Sequence, residues 1–218
     1  MGRNKIIPDT PSQEVYAAEE DQGEVFAQDD PFELFHEWFV LAKASEPNDA
    51  NAFTLATVDG TGMPDARIVL MKDLDDKGLS FFTNAQSAKG RQLASQPWAG
   101  AVFHWKSIRR QVRFRGEVQE VSARDADEYF AARARGSQIG AWASNQSAEI
   151  ASPDGLARRV EEFEDTYAGK TVPRPPHWTG YRLRPTEIEF WVNRPFRLHD
   201  RLRFDLSDGA WSQRRLFP

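Results

Sequence analysis

Four basic side chains stand at every second position near the end of the chain: Arg197, His199, Arg201 and Arg203. If residues 196–204 form the second strand of a hairpin that turns at Asn193-Arg194-Pro195, side chains two apart lie on one face. Like charges on one face repel each other, and an anion lying against them relieves the repulsion. The spacing therefore predicts an anion-binding face on this hairpin.

The other face of the same predicted strand is apolar apart from one acid. Its members are Phe196, Leu198, Leu202 and Phe204, with Asp200 as the exception. Burying an unpaired carboxylate is costly. We therefore hypothesise that Asp200 pairs with a nearby arginine.

A second candidate for anion binding is the segment TNAQSAKGRQ, residues 83–92. Thr83 and Ser87 precede a helix predicted over residues 88–95, and Lys89 lies in its first turn. A cation at a helix N-terminus opposes the helix dipole unless an anion neutralises it. Free N–H groups, hydroxyls and a lysine at a helix start are the parts of a phosphate site. An ordinary strand-to-helix turn is the alternative, and the spacing of a P-loop is absent.

The predicted strand RIVLMK, residues 67–72, carries a cation at each end. Alternation places one cation on each face: Arg67 with Val69 and Met71, and Lys72 with Ile68 and Leu70. So apolar a strand is typical of a central position, with its two cations emerging near the ends. The alternative is that Arg67 and Lys72 lie along an apolar surface and keep their charged ends in water.

A helix predicted to begin after Ser122 carries a second candidate phosphate clamp. Tyr129 and Arg133 stand four apart, so they lie on one helix face, and Ser137 follows just beyond the end. A phenol, a guanidinium and a hydroxyl can all donate hydrogen bonds to an anion. A solvated helix face is the alternative.

Uncharged polar side chains form a further group of candidates. Gln111 begins a predicted strand, and Gln146 and Ser147 end the uncharged segment SQIGAWASNQS. Such groups suit hydrogen bonding to a polar ring or a phosphate. A solvent-facing strand and a plain surface loop are the alternatives.

Short alternating segments predict the strands that would position these residues. They fall at residues 53–58, 66–72, 79–83, 99–105, 111–121, near Tyr181, and at 188–192, 196–204 and 211–216. Further helices are predicted to begin at Asp30-Pro31 and at Ser152-Pro153, where Pro occupies the first turn. Many strands joined by short turns favour an antiparallel barrel or sandwich. We therefore predict one α+β domain over residues 29–218, after an acidic, disordered tail over residues 1–28.

Composition narrows the class of function. The chain has no cysteine, so disulfides, iron–sulfur clusters and cysteine nucleophiles are excluded, and its four histidines lack metal-ligand spacing. No apolar run approaches a membrane span and no signal peptide is visible, which favours a cytoplasmic protein. Nine acids and two bases within residues 1–33 give that segment a net charge of −7, against −5 for the whole chain. The remaining body is only mildly basic, which argues against nucleic acid and suits a small phosphorylated ligand.

Six segments closely resemble the pyridoxamine 5′-phosphate oxidase family, in this order: RIVLMK, FFTN…SAKGRQ, RRQVRFRG, SQIGAWASNQS, PPHWTGYRL and IEFW…FRLHDR. The likeness covers about residue 30 to the C-terminus. It implies an antiparallel split β-barrel with flanking helices, FMN as cofactor, and a homodimer with FMN at the subunit interface. It also implies oxidation of pyridoxamine or pyridoxine 5′-phosphate to pyridoxal 5′-phosphate. Hydride would pass from substrate C4′ to flavin N5, with O₂ as acceptor and H₂O₂ as product.

The same likeness implies roles for single residues. The FMN shell, partly from the second subunit, would be Arg67, Ile68, Val69, Leu70, Met71, Lys72, Phe82, Thr83, Lys89, Gln111, Gln146, Ser147, Trp191 and Arg201. Within it, Arg67 and Lys89 would hold the FMN phosphate. The substrate phosphate would be held by Lys72, Tyr129, Arg133 and Ser137. Arg197 and His199 would bind the substrate and flank its reacting carbon as the catalytic pair, and no metal, nucleic acid or membrane is implied.

The chain departs from some members of the family at three places. Ala88 stands where some have arginine, Phe82 replaces a tyrosine, and residues 14–17 lack an Arg-Arg-Glu-Tyr stretch that covers the substrate in some relatives. Two other functions stay open: a flavin oxidoreductase of this fold with another substrate, and a flavin- or pyridoxal-phosphate-binding carrier without turnover. The complete set of substrate residues argues against the first.

Overall fold

An antiparallel sheet forms the centre of the protein, whose computed structural model describes residues 12–17 and 22–218. The strands in this part of the chain are β1 (Ala52–Val58), β2 (Pro64–Leu70), β3 (Asp73–Asp75), β4 (Gly78–Asn84), β5 (Trp98–Trp105), β6 (Arg110–Glu120), β7 (Trp178–Val192), β8 (Asp200–Ser207) and β9 (Ala210–Leu216). They pair in the order β2-β1-β5-β6-β7-β4-β3, with β8 on β7 and β9 on β8. Because β2 and β4 contact each other despite their separation in that order, the sheet curls into a half-barrel. The predicted antiparallel barrel is confirmed.

Helices flank the sheet, and side-chain caps fix where several begin. The described helices are α1 (Gln13–Ala17), α2 (Pro31–Ser45), α3 (Ala88–Ser95), α4 (Ala123–Ala132), α5 (Arg135–Ala143) and α6 (Pro153–Thr166). The Asp30 carboxylate accepts hydrogen bonds from the first backbone N–H groups of α2. Ser87 and Ser122 cap α3 and α4 in the same way. These caps satisfy N–H groups that the helix itself leaves without partners, and they stand where the sequence predicted helix starts.

Helix α2 closes one end of the barrel with an aromatic core. The Phe35 ring centre lies 5.1 Å from that of Phe103. Trp38 meets Phe190 edge-on, also at 5.1 Å. A second, smaller core holds α4 and α5 beside β7 and consists of Phe130, Ile139, Val172 and Trp178. The two cores leave β2, β4 and α4 facing one another.

Strand β7 is longer than predicted. The sequence indicated separate strands near Tyr181 and at 188–192, but β7 runs without interruption from residue 178 to residue 192. Pro185 lies within it, where the pairing with β6 shifts at a bulge between Arg115 and Gly116. A bulge accommodates a residue that cannot donate to the ladder. The first half of β7 pairs with β4 and the second half with β8.

The predicted strand over residues 196–204 is wrong in its first half. Phe196 and Arg197 have φ angles of 57° and 61°. The chain therefore turns through a short 3₁₀ segment, Pro195–Arg197, and β8 begins only at Asp200. Alternation cannot be followed through a left-handed turn, since it requires extended backbone.

This turn divides the two predicted faces. Phe196 and Leu198 are exposed, whereas the later apolar residues Leu202 and Phe204 are buried as expected. Arg197 and His199 lie outside β8 and do not share its face with Arg201 and Arg203. Asp200 pairs with an arginine, as hypothesised. The arginine is Arg194, whose Nε donates to the Asp200 carboxylate at 2.7 Å.

Two other segments also differ from expectation. Residues 22–28 were predicted to belong to a loose tail, but Val25 is buried in the main core and accepts a hydrogen bond from Trp38 Nε1 at 3.2 Å. Helix α1 lies against the 3₁₀ segment. Much of the rest of the predicted tail lies outside the described residues. The segment SQIGAWASNQS, for which a surface loop was one reading, is helical as far as Ala143.

Candidate active site

A pocket of roughly 670 Å³ lies where β2, β4, α3 and α4 meet. Its lining includes residues from both predicted binding sets: Arg67, Ile68, Val69, Leu70, Lys72, Phe82, Thr83, Lys89, Tyr129, Arg133, Ser137 and Gln146. Ala134 and Trp178 line it as well, and the sequence singled out neither. One chain thus brings the predicted cofactor residues beside the predicted substrate-phosphate residues.

Two other predicted FMN residues lie at or behind this pocket. The Ser147 hydroxyl accepts a hydrogen bond from the Ala88 N–H at 3.1 Å, which ties the polar segment to the start of α3. Met71 is buried in the main core and is not among the lining residues. The pocket lining therefore does not support the predicted contact of Met71 with FMN.

Arg67 forms one charged wall of the pocket. Its guanidinium donates to the Leu55 carbonyl at 3.2 Å, to the Thr57 hydroxyl, and to Gln92 Oε1 at 3.0 Å. It also pairs with the Asp65 carboxylate. The hydrogen bond from Gln92 and the charge of Arg67 together lower the pKa of Asp65. The wall therefore holds a fixed cation with one carboxylate at its outer side.

Lys89 forms the adjacent wall, in the first turn of α3. Its ammonium donates to three neutral oxygens at 3.2 Å: Thr83 Oγ1, Ser87 Oγ and Gln146 Oε1. Burial lowers the pKa of Lys89, and the positive charge of Arg67 lowers it further, while Asp65 acts in the opposite direction. An anion placed between Lys89 and Arg67 would relieve both effects.

Arg133 lies on the opposite side, where α4 ends and α5 begins. Its guanidinium lies 4.9 Å from the Trp178 ring centre. Nη1 is buried and has no hydrogen-bond partner within the part of the chain that the structure describes. Burial lowers the pKa of Arg133, yet a guanidinium remains protonated. A buried donor left unpaired in this way marks a place for an acceptor from a ligand.

Three aromatic rings form the floor beside this arginine. The rings of Phe82 and Tyr129 stack at 4.1 Å, and Tyr129 is nearly parallel to Trp178 at 6.0 Å. A side chain at Gly180 would come within 2.5 Å of the Phe82 ring, so the glycine leaves room for the stack. This packing fixes the position of the Tyr129 phenol and the ring beneath Arg133.

The other predicted residues form a second cluster. Gln111, Trp191 and Arg201 are direct neighbours across β6, β7 and β8. The rings of Trp191 and His199 lie 4.5 Å apart. Arg197 is exposed in the 3₁₀ segment that precedes them. Aromatic, imidazole and guanidinium groups are therefore presented together at the end of β7.

Within this cluster, Glu189 holds Arg201 and was not predicted. The two carboxylate oxygens of Glu189 accept from Arg201 Nε and Nη2 at 3.0 and 3.1 Å. That hydrogen bonding raises the pKa of Arg201. The fourth basic residue of the original pattern, Arg203, pairs with Glu187 and Asp205. Acidic partners inside the chain thus neutralise part of the repulsion that the sequence attributed to a ligand.

The two clusters lie far apart in one chain. Trp178 lines the pocket and Trp191 belongs to the second cluster, and they stand at opposite parts of the same strand, β7. Thirteen residues of extended chain span at most roughly 40 Å. The second cluster contributes no lining residue to the pocket of its own chain.

In the described ranges, no three His, Asp or Glu side chains are grouped in a way that would hold a metal ion. None of the helices in those ranges is long and apolar enough to cross a membrane.

Similarity to known proteins covers almost the whole chain. Residues 42–167 match the family described as pyridoxamine 5′-phosphate oxidase. Residues 178–218 match the pyridoxine 5′-phosphate oxidase C-terminal dimerisation region. A pyridoxine/pyridoxamine 5′-phosphate oxidase of Caulobacter vibrioides (strain NA1000 / CB15N) is 52% identical, over 98% of this chain and 97% of its own length. One of the same name from Azorhizobium caulinodans is 56% identical, over 90% and 93%.

Solved structures agree on the fold. PhzG from Burkholderia lata 383, in complex with tetrahydrophenazine-1-carboxylic acid, has a TM-score of 0.83 and 30% identity, covering 88% of this chain and 94% of that one. A pyridoxamine 5′-phosphate oxidase-related, FMN-binding protein of Nostoc punctiforme has a TM-score of 0.71 at 18% identity, covering 88% and 100%. These similarities confirm the split β-barrel with flanking helices.

Proposed function

The chain belongs to the pyridoxamine 5′-phosphate oxidase family, and we propose from that premise that it oxidises pyridoxamine and pyridoxine 5′-phosphate to pyridoxal 5′-phosphate. FMN is its cofactor and O₂ its electron acceptor. The observation that carries the proposal is a single pocket with two groups of cations: Arg67 with Lys89, and Lys72 with Arg133. Cofactor and substrate each bring one phosphate, so two cationic subsites in one pocket match the pair.

The first subsite fits the phosphate of FMN. Lys89 is half-buried among neutral oxygens, and Arg67 is held rigidly beside it. Lys89 stands at the N-terminal turn of α3, where backbone N–H groups also favour an anion. Two cations and a helix N-terminus at one place are more charge than Asp65 alone neutralises, and a phosphate dianion supplies the remainder.

The second subsite fits the phosphate of the substrate. Arg133 Nη1 has no partner among the described residues, and the Ser137 hydroxyl and Tyr129 phenol line the same pocket. A phosphate can accept hydrogen bonds from all of these at once. Fixing this end of the substrate orients the pyridine ring, so that the reacting carbon is presented to the cofactor.

The chemistry divides between cofactor and protein. The chemistry that FMN would supply when bound is acceptance of the substrate hydride and transfer of the electrons to O₂ as H₂O₂. The alcohol substrate would thereby become the aldehyde, whereas the amine would become an imine that water hydrolyses with release of ammonia. The chain's own residues would bind the two phosphorylated ligands and orient them. Val69 and Leu70 supply apolar lining between the two charged subsites. This division explains why the sequence contains no candidate triad or pair of catalytic carboxylates.

We further propose that the active enzyme is a homodimer with FMN at the subunit interface. Trp191, Arg197, His199 and Arg201 fall within the matched dimerisation region, residues 178–218. None of the four lines the pocket of its own chain. In a two-fold dimer the second subunit would place this cluster over the pocket, with Arg197 and His199 beside the substrate.

Oxygen uptake with purified protein tests the function. We expect yellow protein that releases FMN on denaturation and consumes O₂ as it forms pyridoxal 5′-phosphate from pyridoxamine 5′-phosphate. Colourless protein that forms no product would overturn the proposal. Binding of FMN and pyridoxal 5′-phosphate without O₂ uptake would identify a carrier. Oxidation of tetrahydrophenazine-1-carboxylic acid in place of the pyridoxamine phosphate would identify a flavin oxidoreductase of this fold that acts on another substrate.

A further inference from the structure

The guanidinium of Arg67 is held by side chains from three different elements. Thr57 extends from β1, Asp65 from β2 and Gln92 from α3. All three side chains contact the Arg67 guanidinium directly. Such convergence fixes one rotamer of a long side chain, which otherwise has high conformational entropy.

Gln92 is the residue that joins the other members of this group. Its Oε1 accepts from the Thr57 hydroxyl at 2.6 Å and from Arg67 Nη2 at 3.0 Å. Its Nε2 donates to Asp65 Oδ2 at 3.2 Å. Both ends of the amide are therefore used, and Thr57 is almost fully buried beneath it. A satisfied network of this kind holds its members in one arrangement.

The position of Gln92 on α3 links it to the second cation. Lys89 and Gln92 stand three residues apart, so they lie on the same face of the helix. When Gln92 binds Arg67, that face is held against β1 and β2. The contact thereby fixes the separation between the guanidinium of Arg67 and the ammonium of Lys89.

We infer that Gln92 is a positioning residue that sets the geometry of the cofactor-phosphate subsite by coupling α3 to Arg67, with Thr57 as its buried support. The inference rests on the proposed function, because it takes the anion between Arg67 and Lys89 to be the phosphate of FMN. Gln92 does not line the pocket and acts through the two cations.

Comparing FMN with riboflavin isolates this role, because the two ligands differ only by the phosphate. The dissociation constants of both are measured on apoprotein by quenching of flavin fluorescence. In Gln92→Ala we expect FMN affinity to fall by about tenfold, the effect of one charge-assisted hydrogen bond. Riboflavin affinity should change little. Thr57→Val should lower the FMN preference in the same direction, and Thr57→Ser, which keeps the hydroxyl, should restore it.

Gln96→Ala is the matched control, because Gln96 is an exposed glutamine at the end of the same helix. Its preference for FMN should equal that of the wild type. Equal losses for FMN and riboflavin in Gln92→Ala, or no loss for either, would overturn the inference. If Gln92→Ala does not fold, the Thr57→Val and Thr57→Ser pair decides the question. Wild-type apoprotein that does not distinguish the two flavins would instead contradict the proposed phosphate subsite itself.

Discussion

At the scale of single residues, the surroundings of Arg133 point most directly to a ligand. The guanidinium stacks over Trp178, and Nη1 is buried without a partner among the described residues. A buried donor left unpaired costs about 1–3 kcal/mol. The proposed substrate phosphate would remove that cost on binding, so the unmade hydrogen bond would be available as binding energy.

Replacing Arg133 with methionine should therefore affect phosphorylated substrates selectively. Methionine keeps much of the apolar stem over Trp178 and removes the charge. We expect kcat/KM for pyridoxamine 5′-phosphate to fall by about 10- to 100-fold. The value for pyridoxamine, which lacks the phosphate, should change far less. Steady-state O₂ uptake with the two substrates gives both numbers.

The control for this variant is Arg124→Ala, in the first turn of α4, the helix that Arg133 caps at its C-terminal end. Arg124 is exposed and pairs with Glu128 at 2.7 Å, away from the pocket lining. Its kinetics should match the wild type for both substrates. If Arg133→Met lowered kcat/KM equally with and without the phosphate, Arg133 would have a structural role and not a phosphate-binding one.

The sequence could suggest individual anion binders but could not select among them. A lysine in the first turn of α3 and the Tyr129–Arg133 spacing each had an ordinary alternative, and the family resemblance supplied the choice. Trp178 and Gln92 escaped notice for a physical reason. Each is an unremarkable residue in its own element, and its role arises from contacts with elements distant in sequence.

At the scale of elements, a bulge in the β6–β7 pairing lets β7 continue past Pro185 as one strand. Gly116 lies at the bulge, opposite Pro185. A Cβ atom built at Gly116 would stand 1.9 Å from the Arg184 carbonyl oxygen. Backbone atoms on both sides cannot yield as a flexible side chain can. This glycine is thus required by close packing of two strands, one of which connects the two halves of the site.

Gly116→Ala should destabilise the fold. We expect a loss of about 1–3 kcal/mol in the free energy of unfolding, typical of overpacking in a rigid place. Urea titration followed by tryptophan fluorescence measures it. Gly60→Ala is the control, because nothing lies within 4 Å of its added Cβ. That variant should stay within about 0.5 kcal/mol of the wild type. A Gly116→Ala protein as stable as Gly60→Ala would contradict the close approach.

The sequence predicted best those helices and strands whose boundaries are marked by residues close by in the chain. Helices α2, α3 and α4 begin at capping side chains, and all three were predicted. Helix α5 was missed because its N-cap is Ala134, a residue type whose side chain cannot accept a capping hydrogen bond and so gives no start signal. The hairpin was misread at 196–199, where two consecutive non-glycine residues with positive φ interrupt a perfect alternation. Nothing in the residue types announces that turn.

At the scale of the whole molecule, the pocket and the Trp191 cluster lie toward opposite ends of β7. The proposed two-fold dimer would contain two identical sites, each built from the pocket of one chain and the Trp191 cluster of the other. A substitution that inactivates the pocket and one that inactivates the cluster would therefore damage different halves of each shared site. If they are placed on separate chains, one site of the mixed dimer carries both changes and the other carries neither.

Subunit complementation tests this arrangement with Arg133→Met and Arg197→Met. Alone, Arg197→Met should bind FMN but lose turnover by orders of magnitude, because the proposed substrate contacts of Arg197 would be gone. When the two chains associate at random, half of the dimers contain one chain of each kind. Each of these mixed dimers has one intact site. Co-refolded protein should therefore recover about one quarter of wild-type activity toward pyridoxamine 5′-phosphate. O₂ uptake per dimer, with dimer mass checked by light scattering, gives this fraction.

The matched control mixes Arg133→Met with Tyr129→Phe, since both changes lie in the same pocket. Every mixed dimer then has one altered residue in each of its sites, and no wild-type site is formed. Activity should stay at the average of the two parents. Recovery in this control would mean that refolding, not geometry, restores activity. Absence of recovery in the Arg133–Arg197 mixture would mean that pocket and cluster act within one chain, and it would overturn the shared site.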